Sequence, residues 1–295
     1  MNAPLVVAVV LNWNLPGDTV RCVRSLLDSQ RVRLQVVVVD NGSSDDSLQR
    51  FARELPGASV LASAHNRFYA GGNNLGIAAA LDMGADWVLV LNNDTVAAPD
   101  MVAQLLAAGE AQQAALVAPA VYRLDTPDVL WDGGQQWPRR RPLPARASVQ
   151  LSPYRVDLVT GCAMLVRADA ARALGGFDER YVMYYEDADL CLRLRQMGGR
   201  TVVAPDARLW HAVGSSAALA SERSTAQRAR FRVRFYRQHA LWPWRPVTLL
   251  LVTGHIVARA LCAALRRRVA VSGALWRGLL AGWREPMGGR PWPRA

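Results

Sequence analysis

The chain has no lysine: all 35 basic side chains among its 295 residues are arginines. No positive side-chain charge is therefore an ammonium. Each is a planar guanidinium suited to bidentate phosphate contacts, although compositional bias of the source genome explains the preference more simply. Cysteine is scarce. Cys22, Cys162, Cys191 and Cys262 lie far apart with no Cys-x-x-Cys spacing, which argues against a zinc knuckle or redox pair and for reduced, cytoplasmic thiols. The apolar run Leu5 to Leu11 lacks a basic leader and is followed by Asn-Trp-Asn instead of a small-residue cleavage site. It reads as a first strand, not a signal peptide. No internal repeat is present, and no nucleic-acid motif.

Acids are almost missing from the last part of the chain. Met1 to Glu222 carries 20 Arg against 23 Asp and Glu, whereas Arg223 to Ala295 carries 15 Arg against Glu285 alone. The net charge of +11 therefore belongs to the tail, and the longer first part is mildly acidic. With 51% hydrophobic residues the chain can bury a full core, as one large domain with an appendage or two small ones.

Leu5 to Leu11, Leu34 to Val39, Ser59 to Leu61 and Trp87 to Leu91 are short apolar runs, separated by helix-length segments starting near Gly17, Asp46 and Gly72. This alternation predicts an α/β domain with a mostly parallel sheet covered by helices on both faces. Tyr122 to Arg155, rich in Pro, Gly, Trp and Arg, reads as a loop or hairpin excursion over the site or as an irregular connection. Val156 to Val166 is predicted as strand, Ala168 to Leu174 as a short helix, Asp187 to Gln196 as a longer one and Thr201 to Val203 as strand. In the longer helix Leu190, Leu194 and Met197 are expected inside, with Arg193 and Arg195 turned away. The expected division is a catalytic unit over 1–222, its core closing near Ser216, and a basic, largely helical region over 223–295.

The strands end in Asn12-Trp13-Asn14, Asp40-Asn41-Gly42-Ser43 and Asn92-Asn93-Asp94. In an open parallel sheet such endings converge on one crevice. Ser43, Ser44 and Asp46 are read as helix caps. Asp40 and Asp94, set directly against buried runs, are read as functional. The loop from His65 to Gly76, with Asn66, Arg67, Gly72 and Asn73, is expected to open a helix whose first-turn amides can receive phosphate or sugar hydroxyls. Asp94, with Asn92 and Asn93, supplies one carboxylate for a Mg or Mn ion, and His211 or water would assist. Glu186 and Asp187 open a helix after Tyr184-Tyr185, which would partly desolvate them, and Asp187 is the choice for a general base.

Four segments then carry a resemblance: Gly161-Cys-Ala-Met-Leu-Val-Arg167, Gly175-Gly-Phe-Asp-Glu179, Tyr184-Tyr-Glu-Asp-Ala-Asp-Leu-Cys-Leu-Arg193 and His211-Ala-Val-Gly-Ser-Ser216. Together they resemble the family 2 inverting glycosyltransferases, and within them the rhamnosyltransferase-like members. The resemblance covers about Pro4 to Ser216. It implies a GT-A fold, a nucleotide-sugar donor and single-displacement inversion at the anomeric carbon. It also implies that Asp40 contacts the pyrimidine base with Trp13 beside it, and that Asp94 and His211 hold the metal. Asp187 becomes the base, and Glu186 and Asp178 support the acceptor side. Arg67 stands where relatives usually carry Gly, which makes its backbone conformation a question and its guanidinium a candidate for the donor phosphates.

In the tail, an apolar run from Val247 to Leu265 follows Trp242-Pro243-Trp244 and precedes Arg266-Arg267-Arg268. His255, Arg259, Arg266, Arg277 and Arg284 are expected on one helical face, with Leu261, Leu275 and Leu279 roughly opposite. That pattern suits a helix lying on an anionic membrane surface. Packing on the catalytic unit or on a second copy of the chain, and a true span, are the alternatives. The reading as a whole is a metal-dependent transfer of a sugar, with dTDP-L-rhamnose as donor and a cell-envelope glycan or lipid-linked precursor as acceptor. The protein would work in the cytoplasm, peripheral at the inner face of the membrane, without a nucleic-acid partner. A UDP-sugar enzyme and a non-catalytic glycan-assembly subunit are the competing readings.

Overall fold

The computed structural model of the chain describes residues 3–137, 140–212 and 221–286. Val213 to Ser216, with the expected closure of the core at Ser216, lie outside the described residues. In chain order the elements are β1 (Leu5–Asn12), α1 (Pro16–Leu27), β2 (Arg33–Asp40), α2 (Ser47–Glu54), β3 (Ser59–Ala62), α3 (Phe68–Asp82), β4 (Trp87–Asn92), β5 (Thr95–Ala97) and α4 (Met101–Gln112). They continue as β6 (Leu116–Arg123), β7 (Leu130–Asp132), β8 (Gln135–Gln136), β9 (Ala145–Arg146), β10 (Tyr154–Val156), β11 (Ala163–Arg167), α5 (Ala168–Leu174), α6 (Glu186–Gln196) and β12 (Thr201–His211). Three helices end the described chain: α7 (Glu222–His239), α8 (Arg245–Leu265) and α9 (Val269–Arg284).

The main sheet runs β10-β12-β6-β11-β4-β1-β2-β3. β1 to β4 pair parallel, and β12 lies parallel to β6. β11 is antiparallel to both β4 and β6 and joins the two parallel groups, which therefore point the same way. The valine-rich strands form because both faces are covered. Val7, Val9, Val37 and Val39 meet one helical layer, and Val6, Ala8, Val10, Val36 and Val38 meet the other. Burying each such side chain contributes about 1.5–3 kcal/mol. The expected strand from Val156 to Val166 is instead two, β10 and β11, because Asp157 to Cys162 leaves the sheet to build a loop at the site. Thr201 to Val203 begins an 11-residue strand that reaches His211.

The tail is three helices and not one amphipathic rod. Phe231, Phe235 and Tyr236 of α7 join the same core as Val9 and Val90, with Trp137 and Tyr181 stacked on them. α8 and α9 form a hairpin that turns at Arg267, φ +57°. Leu275 and Leu279 face inward, while Leu261 is 53% exposed, so the expected single apolar face is split between two helices. α9 seats on α7 through Gly278 and Gly282, where a Cβ would lie 2.2 Å from Ala226 O and 2.6 Å from Arg230 O. Glu285, the tail's lone acid, ties α9 to Arg230 and Arg234.

Candidate active site

Asn12 lies opposite Asp40 and Leu11 opposite Asn92, so the polar endings of β1, β2 and β4 share one edge of the sheet. Asn12, fully buried, is the hub of this edge. Its amide group reaches Asp40 Oδ1 at 2.9 Å, Ser47 Oγ at 3.0 Å and Ser43 Oγ at 3.1 Å, and its carbonyl accepts from the Thr19 hydroxyl. Asp40 also accepts from the backbone N–H and hydroxyl of Ser43, so both its oxygens are engaged within the turn. Trp13, which follows Asn12 in sequence, is half exposed. Ser43 and Ser44 are not helix caps. Ser43 closes the Asp40 turn, the Ser44 N–H donates to Asn14, and the N-cap residue Asp46 makes no side-chain cap bond.

The neighbouring loop hangs on Asn41, which sequence reasoning passed over. Its amide donates to Asn66 Oδ1 and Phe68 O, and its carbonyl accepts from the Arg67 N–H at 2.8 Å. Arg67 has an ordinary φ of −87°. The left-handed residue is Phe68, φ +59°, so the turn places its positive φ one residue later. α3 starts at Phe68 and not near Gly72, which puts Gly72 and Asn73 inside the helix with their amides taken up by helical bonding. At Gly72 a Cβ would come within 2.5 Å of Leu11, and at Gly76 within 2.2 Å of Val9, so these glycines let α3 lie close on the sheet. Asn73 donates to Tyr69 O, and its Oδ1 is buried without a hydrogen-bond partner.

Beyond β4, Asn93 donates to Thr19, and Asn92 N–H pairs with Cys162 O across to β11. Antiparallel pairing of β5 with β12 sets His211 opposite Thr95. Asp94 Oδ1 and His211 Nε2 are therefore 3.1 Å apart, and the Ala212 N–H donates to Asp94 O. Trp131 packs on the His211 ring at 5.0 Å, and His211 Nδ1 is buried without a hydrogen-bond partner. Among the described residues no three His, Cys, Asp or Glu side chains group to hold a metal. One oxygen and one nitrogen suit a Mg or Mn ion if phosphate and water oxygens complete the shell.

On the other side of β4, Tyr184 and Tyr185 take consecutive left-handed conformations, φ +76° and +72°, before Glu186 and Asp187 open α6. Each such residue costs about 1–2 kcal/mol. Asp187, only partly exposed, accepts the Gly161 N–H at Oδ2 (2.8 Å) and the Ala188 N–H at Oδ1 (2.7 Å). Burial pushes its pKa up, and these amide bonds offset part of the rise. Glu186 is buried, with Oε2 unpartnered, and is driven well above the usual carboxylate range by burial and then by Asp187. Tyr69 donates to Gly161 O at 2.6 Å. Burial pushes up the Cys162 thiol, and Asp132, Asp94 and Asp187 add to the rise.

Asp178 behaves in the opposite way. Although burial works against its charge, bonds from the Arg180 side chain and N–H hold its carboxyl below the ordinary range. It anchors the Gly175-to-Glu179 turn, whose Glu179 and Phe177 O bind Asn74. Arg193, expected outside, is 6% exposed. It donates to Asp189, Leu174 O and Gly176 O, while Met197, expected inside, is 52% exposed. The buried ion pair with Asp189 draws Arg193 inward, and His239 of α7 completes it.

Tyr69, Trp131 and Asp132 join the site without having been anticipated. The signal for the last two was an acid flanked by Trp and Gly-Gly inside the irregular stretch after Tyr122. A cavity of about 320 Å³ lies elsewhere, at the amino end of β12 among Gln136, Asp157, Arg195 and Thr201, and contains none of the candidate residues.

Residues 3–234 match the family described as Glycosyltransferase like family 2. The chain is 32% identical over 203 residues to an N-acetylglucosaminyl-diphospho-decaprenol L-rhamnosyltransferase of Mycobacterium tuberculosis, covering 60% of this chain and 66% of the relative. It is also 32% identical over 217 residues to the galactofuranosyltransferase GlfT1 of that organism, covering 71% of each. The fold is similar to that of the mannosyltransferase PcManGT from Pyrobaculum calidifontis in complex with GDP-Man and Mn2+, with a TM-score of 0.63, 17% identity and 96% and 88% of the two chains covered. GalNAc-T7 with UDP, GalNAc and Mn2+ gives a TM-score of 0.62 at 16% identity, covering 80% of this chain and 50% of that one.

Proposed function

The chain belongs to glycosyltransferase family 2, and on that premise we propose that it transfers a sugar with inversion, from a nucleotide diphosphate donor to an acceptor hydroxyl. The observation that carries this reading is the placement of Asp94 against His211 at 3.1 Å and of Asp187 on the Gly161 N–H at 2.8 Å, beside the end of β4 where Asn92 N–H pairs with Cys162 O. Asp187 is the base. It takes the proton of the acceptor hydroxyl as that oxygen bonds to the anomeric carbon and the bond from that carbon to the diphosphate breaks. Its raised pKa makes it a stronger proton acceptor than an exposed aspartate. Burial and the Asp187 charge shift Glu186 next to it toward its neutral form, which limits a second buried charge. Asp94 and His211 would hold a Mg or Mn ion, which supplies charge neutralisation for the departing diphosphate. Asn12, Asp40, Asn66, Arg67, Asn92 and Asn93 build the donor side, with the nucleobase packing against Trp13. Asp178 supports the acceptor side from the turn it anchors.

The identity to the mycobacterial L-rhamnosyltransferase supports dTDP-L-rhamnose as donor and a lipid-linked or cell-envelope glycan as acceptor. A different sugar is the second reading, favoured by the equal identity to the galactofuranosyltransferase. The α8–α9 hairpin supports attachment to an anionic membrane at the inner face. Leu265 and Val269 are exposed beside Arg266 to Arg268, Leu250 is exposed near the start of α8, and α8 is long and apolar enough to cross a membrane by length and composition. A panel of nucleotide sugars with Mg or Mn, followed by linkage analysis of the product, tests the reading. Transfer from dTDP-L-rhamnose with inverted configuration is expected, and no transfer or hydrolysis of any donor would contradict it.

A further inference from the structure

Among the described residues seven non-glycines have positive φ, and three of these are aromatic: Phe68, Tyr184 and Tyr185. All three sit where a loop enters a helix of the candidate site, Phe68 at the start of α3 on the donor side and the tyrosines before α6 and Asp187. All three are held by one helix, α7. The Arg223 guanidinium lies over the Phe68 ring at 5.6 Å. Arg228 lies over the Tyr184 ring at 4.4 Å and donates to its hydroxyl. Tyr185 packs against Phe235 at 5.1 Å and Tyr236 at 6.5 Å. The two loops are also joined to each other, because the Tyr69 N–H donates to Val182 O.

Strained left-handed aromatics persist only where their surroundings over-determine them. Here the restraint comes from outside both loops and from a helix that follows β12 in sequence. From this geometry we infer that α7 is a strut for catalysis: Arg223, Arg228, Phe235 and Tyr236 are positioning residues that hold Phe68, Tyr184 and Tyr185, and through them fix Asp187 relative to the donor side. A catalytic base displaced by about an ångström loses much of its rate, and the strut would prevent that displacement. α7 is itself fastened to α9 by Arg230, Arg234 and Glu285, so the hairpin and the base share one rigid connection.

This inference rests on the proposed role of Asp187, and its test separates the two. Arg223 and Arg228 are exposed, so Arg228→Ala and Arg223→Ala leave the core intact, and an unchanged melting temperature checks that. With the full chain, Arg228→Ala is expected to lower kcat roughly 10-fold with donor KM changed less than about 2-fold. Tyr184→Phe and Tyr185→Phe keep the rings and should retain most of the activity. Tyr185→Gly, which removes the backbone strain together with the ring, should lose it. Hydrogen exchange of amides 182–189, which needs no substrate, should quicken in Arg228→Ala and Tyr185→Gly. Unchanged exchange with unchanged kcat in both variants overturns the strut, as does a Tyr185→Gly protein at least as active as wild type. Quickened exchange in a wild-type background inactive on every donor would uphold the strut and count against the proposed reaction.

Discussion

Asp40 and Asp187 stand along the same edge of the sheet, yet their surroundings are opposite. At the β1–β2 end the polar groups of Asn12 and Asn41 are fully used: Asn12 is shared among Asp40, Ser43, Ser47 and Thr19, and Asn41 fixes three groups of the next loop. At the β11–α6 end, carboxylates are buried beside one another with few donors, and Glu186 Oε2 has no hydrogen-bond partner. Satisfied networks make a rigid frame, whereas under-satisfied carboxyls retain affinity for a proton or a ligand. Asp178 and Asp187 repeat the contrast nine positions apart in sequence. One has its own arginine and a depressed pKa, the other only backbone amides and a raised one.

The sharpest break in this contrast comes from removing the base. Asp187→Asn is expected to lower kcat by roughly 10²–10⁴-fold, the range of general-base contributions, as measured in a single-turnover transfer assay. A smaller effect, on the order of 10²-fold in kcat/KM, is expected for His211→Ala, with a higher Mg or Mn concentration needed for half-maximal rate. On the frame side, Asn41→Ala should act mainly on stability. It leaves the Arg67 N–H and two loop acceptors without their partner and is expected to cost about 1–3 kcal/mol in urea unfolding.

The pH dependence separates the two aspartates in sign. Asp187 works only when ionised, so kcat falls as pH drops through its folded-state pKa. Because burial raises that pKa, the loss begins above the usual aspartate value of about 3.9. Asp178 has a depressed pKa, so its stabilising contribution is complete above the unfolded-state value and is lost only as pH falls through the folded one. An acid limb of kcat at or below that ordinary value would contradict the raised pKa of Asp187.

Much of this was legible in sequence because the relevant residues sit against buried apolar runs. Asn12, Asp40 and Asp94 follow valine- and leucine-rich strands, and Glu186-Asp187 precede an amphipathic helix. What escaped was set by contacts distant in sequence. Trp131 gains meaning only when β12 carries His211 beside it, and Tyr69 only when β11 brings Gly161 to its hydroxyl. The left-handed aromatics had no glycine to announce them, and the burial of Arg193 depended on Asp189 and on His239 from α7. In the tail the expected basic residues His255, Arg259, Arg266, Arg277 and Arg284 are exposed, but the apolar side divides, with Leu261 exposed on α8 and Leu275 and Leu279 buried on α9, because the chain turns back at Arg267.

The division of labour between donor binding and proton transfer is tested most directly by calorimetric titration of dTDP-L-rhamnose with Mg into the wild type, Asp94→Ala and Asp187→Asn. Wild-type affinity in Asp187→Asn with affinity largely lost in Asp94→Ala is the predicted result. Donor binding that depends on Asp187 and not on Asp94 would contradict the roles assigned to the two aspartates.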